Sequence, residues 1–256
     1  MITLELLPIL ALLAGGFLMG FVNNVAGGGG VIGLLALEDV VHLHPVHANA
    51  SLRVAAVAIG GTGWLGFRER GVAMARSAWL YGLLAVPGAL LGSVMVHTLP
   101  VWLYRAALAA VLVLVLWQQL RPSARSPEGP VRAASPLVTV LLFTLMGVHM
   151  GFIQVGAGLV TMATLSFLHT RDLLLVNTAK LAIVIVTSAA SVLYLHLVGR
   201  IEWEPALFLA AGAGAGSYAA SHWSVAKGHQ GIRVLVLVIT IAVLARLCWQ
   251  MASTWL

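Results

Sequence analysis

Apolar residues run along this chain in long blocks, and short polar stretches separate the blocks. Ten segments can be drawn: 4–22, 31–41, 46–67, 77–97, 101–120, 136–152, 159–168, 173–198, 205–221 and 232–251. Roughly 20 consecutive apolar residues span the hydrocarbon core of a bilayer. The second and seventh segments are too short to cross alone, because a ten-residue helix covers about 15 Å of a core about 30 Å thick. Each short segment follows a glycine cluster: Gly27, Gly28, Gly29 and Gly30 before the second, Gly156, Ala157 and Gly158 before the seventh. Both are expected to be half-helices or the second arms of broken helices. The pattern predicts an all-α, polytopic transmembrane bundle of about ten segments.

The longest polar stretch, 121–135, carries Arg121, Pro122, Arg125, Pro127, Pro130 and Arg132 and reads as a loop. It divides the chain into a first transmembrane repeat (1–120), a cytoplasmic linker (121–135) and a second repeat (136–256). The halves echo each other. One constant offset relates Asn49 to Asn177, Gly71 to Gly199 and Gly30 to Gly158. A G-x-x-x-G-S run closes each half, at Gly88 to Ser93 and Gly212 to Ser217. Internal duplication of this kind is common in secondary transporters.

Composition agrees with the pattern. The chain is 61% apolar and 9% charged, against about 25% charged in an ordinary soluble domain. A mean hydropathy of +1.01 leaves no room for a sizeable water-facing domain. The first segment carries Glu5 and lacks a basic leader, so it reads as a membrane helix and not as a cleaved signal peptide. The net charge of +6 comes from basic residues standing singly between apolar runs, so it points to topology and not to nucleic acid. If every segment changes side, Arg68, Arg70, Arg76, Arg121, Arg125, Arg132, Arg171, Lys227 and Arg233 share one face, leaving Arg105, Arg200 and Arg246 for the other. The positive-inside rule makes the richer face cytoplasmic. With an odd number of crossings per half, the repeats are inverted.

Two basic residues stand outside that rule. Arg53 follows Asn49 and Ser51, and Lys180 follows Asn177 and Thr178. An ionisable residue inside a membrane segment is costly and marks a candidate site. Either could snorkel to the interface from near its helix start, but the matched placement in the two halves favours a site. Amide donors beside a cation suit an oxyanion. Half-helices starting at the glycine clusters would add backbone N–H groups and positive dipole ends, with Asn23, Asn24 and Gln154 as further donors just before the clusters. Close packing accounts for Gly88, Gly92, Gly212 and Gly216; it explains four consecutive glycines poorly.

Nine histidines raise the question of a metal. His42, His44 and His47 form the densest group, yet Pro45 breaks helical continuity through it, and the chain has no HExxH and a single cysteine, Cys248. A metal-cation or proton-coupled carrier using this cluster is the alternative reading. His47 and His149 are candidates for proton coupling. No nucleotide-binding G-x-x-x-x-G-K and no G-x-S-x-G is present, so neither an ATP-driven pump nor an enzyme is expected, and no cofactor is implied.

The run Gly20-Phe21-Val22-Asn23-Asn24-Val25-Ala26-Gly27-Gly28-Gly29-Gly30, followed by Ala48-Asn49-Ala50-Ser51 and Gly71, resembles the first half of the TauE/SafE sulfite exporter family. Gly147, Gly151, Gly156, Gly158, Asn177 and Gly199 echo it in the second half, where the glycine cluster is eroded. The resemblance covers nearly the whole chain. It implies a secondary, multi-pass transporter of the inner cell membrane that exports sulfite, thiosulfate or organosulfonates. The expected partners are a small anionic substrate and the lipid bilayer, with a homodimer compatible and nucleic acid excluded.

Overall fold

The structure, a computed structural model, describes residues 5–120, 135–168, 172–227 and 241. Among these residues it is helical throughout, with no strand. The helices are α1 (Leu6–Ala26), α2 (Gly30–Leu35), α3 (Pro45–Glu69), α4 (Arg76–Thr98), α5 (Val101–Leu120), α6 (Pro136–Phe152), α7 (Ala157–Leu168), α8 (Leu173–Leu197) and α9 (Trp203–Lys227). The predicted segment 232–251 lies outside the described residues apart from Ile241, as does nearly all of the linker.

Local chemistry places the helix ends. Pro45 and Pro136 open α3 and α6, where the missing N–H is no loss. Ser135 and Asp172 cap α6 and α8 through their side chains. At the other end, α3 and α8 stop alike. Gly71 (φ 76°) and Gly199 (φ 67°) take the left-handed conformation, and the next amide folds back to the helix, Val72 N to Phe67 O and Arg200 N to Leu195 O.

α1, α3, α4 and most of α8 (Leu174–Leu197) are long and apolar enough to cross a membrane. α1 has 21 residues, a length of about 32 Å at 1.5 Å per residue. The two short segments are short in the structure too: α7 has 12 residues, and α2 has six before it relaxes into a π-helical turn, Ala36–Val40. The distribution of polarity is that of a protein in lipid. Leu7, Leu80, Leu145, Leu193 and Leu197 are exposed, whereas Arg53, Lys180, Asn24, Asn49 and Asn177 are buried. In water the first set would be a liability; against acyl chains it is the favourable surface.

The halves interleave. α1 packs on α9 and α6 on α4; α3 packs on α9 and α8 on α4; α3 and α8 meet in the middle. Glycines let the outer pairs approach. A Cβ on Gly20 would lie 1.9 Å from Ala213 O, and one on Gly216 2.0 Å from Phe17 O. On the matching pair, a Cβ on Gly88 would lie 1.9 Å from Thr144 O, and one on Gly151 2.0 Å from Ala89 O. Packing is therefore the role of Gly88, Gly92, Gly212 and Gly216, as their spacing predicts. It is equally the role of Gly16, Gly20, Gly147 and Gly151 on the facing helices.

Candidate functional site

α1 and α6 both end inside the protein, and the loops that follow them touch. A Cβ on Gly27 would stand 2.9 Å from the Leu159 amide nitrogen, and one on Gly158 2.7 Å from Gly27 O. Gly30 meets Val155 in the same way, at 3.3 Å from its Cα. Gly29 is pressed onto α1, where a Cβ would sit 2.1 Å from Met19 O. This corrects the reading of the first glycine cluster as poorly suited to packing. Gly27 and Gly30 are bare where two broken-helix loops cross backbone to backbone. Gly27 and Gly156 also share a left-handed conformation, at φ 78° and 76°.

The last carbonyls of a helix have no partner within it. Here a neighbouring helix supplies partners, in the same manner twice. On α3, Asn49 and Arg53 lie one turn apart and face the end of α6. Asn49 Nδ2 donates to Phe152 O at 2.9 Å, and its Oδ1 accepts from Gln154 N at 3.4 Å. The Arg53 guanidinium donates to Gly151 O, to Met150 O and to Asn49 O. On α8, Asn177 and Lys180 face the end of α1. Lys180 Nζ donates to Asn23 O at 3.0 Å and Asn24 O at 3.3 Å, and Asn177 Nδ2 donates to Asn24 Oδ1 at 3.2 Å. Asn24 passes the contact on to Ser217 of α9, donating to its carbonyl and hydroxyl.

Each half thus clamps the broken helix of the other half with one amide and one cation. A cation at a helix C-terminus also complements the negative end of the helix dipole. Both cations are fully buried, so neither snorkels to the interface. Neither is paired with a carboxylate among the described residues. Some donor and acceptor capacity is left over: Arg53 Nε and Asn177 Oδ1 are buried without a hydrogen-bonding partner among the described residues.

The remaining candidates are more scattered. Gln154 Nε2 donates to Ser188 Oγ at 3.5 Å, close to the crossing. Thr178 hydrogen-bonds its own helix, at Leu175 O. Ser51 and His47 lie on a different face of α3 and hold Glu202, in the turn before α9. Glu202 N donates to Ser51 Oγ at 3.0 Å, and His47 Nδ1 lies 3.0 Å from Glu202 Oε1. His149, on α6, buries an Nε2 that has no partner among the described residues. His44 and His47 touch edge to face, with centroids 6.5 Å apart. Among the described residues no three of His, Cys, Asp or Glu gather as a metal would require, which does not favour the cation-carrier alternative. A recess of about 550 Å³ between α3, α8 and α9 is lined by Val54, Val192, Leu193 and Leu207. It is apolar and suits no anion.

A family profile for the sulfite exporter TauE/SafE matches residues 12–247. The chain belongs to the TauE/SafE family. Relatives of this TauE/SafE protein include the probable membrane transporter protein ORF9 of a Sinorhizobium species. It is 23% identical over 232 residues, covering 90% of this chain and 88% of the relative. A probable membrane transporter protein of Haemophilus influenzae is 24% identical over 237 residues, covering 92% of each chain. No solved structure matches the chain significantly. With its helices and its family, this is a multi-pass membrane transporter.

Sequence reasoning missed Glu202, Ser217 and Tyr104. Ser217 ends the second G-x-x-x-G-S run, which was a usable signal. Glu202 stands in a loop and Tyr104 in an apolar run, and neither carries a local mark.

Proposed function

We propose that this TauE/SafE protein is a secondary transporter that exports small anions, of the class of sulfite, thiosulfate or organosulfonates. The observation that carries the reading is the pair of buried cations, Arg53 and Lys180, placed equivalently at the ends of two broken helices and paired with no carboxylate among the described residues. Two buried positive charges held only by carbonyls favour an anion near them. In this reading the backbone of Gly27 to Gly30 and of Gly156 and Gly158 meets the anion, with Asn23, Asn24 and Gln154 beside it; the Gly27 N–H itself is held by Asn23 O.

The repeats 1–120 and 136–256, joined by the cytoplasmic linker 121–135, are inverted in this reading and alternate access by rocking. The exchange of partners between halves supports it: α1 on α9 against α6 on α4, and one clamp in each direction. The odd crossing count and the bunching of basic residues on one face, both read from sequence, also support it. His47, with its Glu202 partner, and His149 are the groups assigned to proton coupling. The test is flux in proteoliposomes loaded with sulfite, thiosulfate, sulfate, taurine or sulfoacetate. Saturable release of at least one sulfur anion is expected. Release no faster than from protein-free vesicles for all five would overturn the reading.

A further inference from the structure

Tyr104 lies in the first turn of α5, behind Pro100, whose carbonyl accepts its backbone N–H at 3.2 Å. The side chain is 1% exposed, and its hydroxyl has no hydrogen-bonding partner among the described residues. A buried hydroxyl without a partner carries a desolvation cost that proteins rarely leave uncompensated. Its surroundings narrow the choice of partner. The ring stands edge-on to Phe152, with centroids 6.0 Å apart. Phe152 is the residue whose carbonyl Asn49 holds; the carbonyl before it, Gly151 O, is held by Arg53. Tyr104 therefore sits against the end of α6 that Asn49 and Arg53 clamp.

Arg53 Nε, the other polar atom left over at this place, is also buried and without a partner. A guanidinium N–H can only donate, and a phenol has a proton to donate. No hydrogen bond joins the two. A single acceptor oxygen placed between them would satisfy both. Glu38, in the π-helical turn, has an interaction of its own. The second half is different: Arg53 keeps a free N–H beyond its carbonyl bonds, whereas the Lys180 nitrogen is engaged by two carbonyls.

We propose that Tyr104 is an anion-binding residue of this transporter, and that one oxygen of the substrate sits between its hydroxyl and the Arg53 Nε–H. The seat takes a small oxyanion, sulfite or a sulfonate group, whose oxygens accept two donors at once. Both of its donors belong to the first half, so the two halves contribute unequally to recognition. This inference rests on the anion-transport reading above.

The test compares wild type with Tyr104→Phe in detergent, by thermal unfolding without ligand and by titration with sulfite, thiosulfate, taurine and sulfoacetate. Phenylalanine keeps the ring against Phe152 and removes only the hydroxyl. Without ligand the variant should be as stable as wild type or more so, because an orphaned polar group is gone. Its Kd for the anion that wild type binds should rise about tenfold or more, the loss expected for a charge-assisted hydrogen bond. An unchanged Kd in the variant overturns the proposal alone, leaving a water or nothing at the seat. A clear loss of stability without ligand also overturns it, since the hydroxyl would then have a partner in the protein. Failure of wild type to bind any of the anions overturns the transport reading and this proposal together.

Discussion

Lys180 Nζ lies 3.0 Å from the carbonyl oxygen of Asn23, so a cation on α8 closes the end of α1. The ammonium is fully buried and holds a second carbonyl, that of Asn24. Replacing Lys180 by Met keeps the volume and leaves both oxygens without this donor. Asn23 O keeps the Gly27 N–H, whereas the loss at Asn24 O costs about 1–3 kcal/mol. The variant should unfold well below wild type in a thermal melt in detergent, and Lys180→Arg should recover part of the loss. It follows that loss of flux in Arg53→Ala or Lys180→Ala does not by itself identify an anion contact, because the same change opens a clamp.

Gly20 and Gly61 make a controlled pair. A Cβ on Gly20 meets the Ala213 carbonyl at 1.9 Å, while one on Gly61 meets nothing within 4 Å. Gly20→Ala should force α1 from α9 and cost about 1–3 kcal/mol, as overpacking does. Gly61→Ala should be neutral or stabilising by about 0.5–1 kcal/mol through helix propensity. Unfolding of the two variants under one condition checks the contrast. Equal melting temperatures would contradict the packing assigned to α1 and α9.

His47 and Glu202 join α3 to the turn before α9 across a partly exposed contact of 3.0 Å. Exposed pairs contribute about 0–1 kcal/mol, so His47→Gln should hardly change stability. If the pair carries the coupling proton, the variant should still bind the anion while its flux no longer responds to an imposed pH gradient. Proteoliposomes with and without such a gradient test this, and a wild-type response in His47→Gln would remove His47 from the coupling role.

His44, the residue before α3, has its pKa held below the ordinary 6.5 by partial burial and by the positive neighbours His47, Arg105 and Arg200. Above that range both folded and unfolded forms are neutral, and the residue contributes nothing to pH dependence. As pH falls below 6.5, the unfolded chain takes up the proton first and stability declines. His44→Gln should therefore flatten the loss of stability as pH falls below about 6.5. Melting curves across that range measure it.

Much of the fold is legible in the sequence because burial in lipid is a local property. The apolar blocks at 101–120 and 136–152 coincide with α5 and α6 to the residue. The shortness of α2 and α7 follows from the glycines that precede them. The pairing of Asn49 with Arg53 and of Asn177 with Lys180 is visible as a repeated spacing. The glycine clusters were harder to interpret. A run of glycine permits both an anion-binding loop and a backbone crossing, and the crossing becomes visible only in the position of Gly158 against Gly27.

The sequence by itself determined that the chain enters a membrane, roughly where each helix begins and ends, and which polar residues lie where lipid would not accept them. Hydropathy, capping and helical spacing act over a few residues and need no knowledge of the partner. Only the tertiary structure decided what those polar residues touch. Arg53 meets Gly151, Lys180 meets Asn23, and His47 meets Glu202, each across 98 residues or more. The hydrogen-bond need of a buried cation is fixed by its chemistry, but which carbonyl meets it depends on where two helices break and cross.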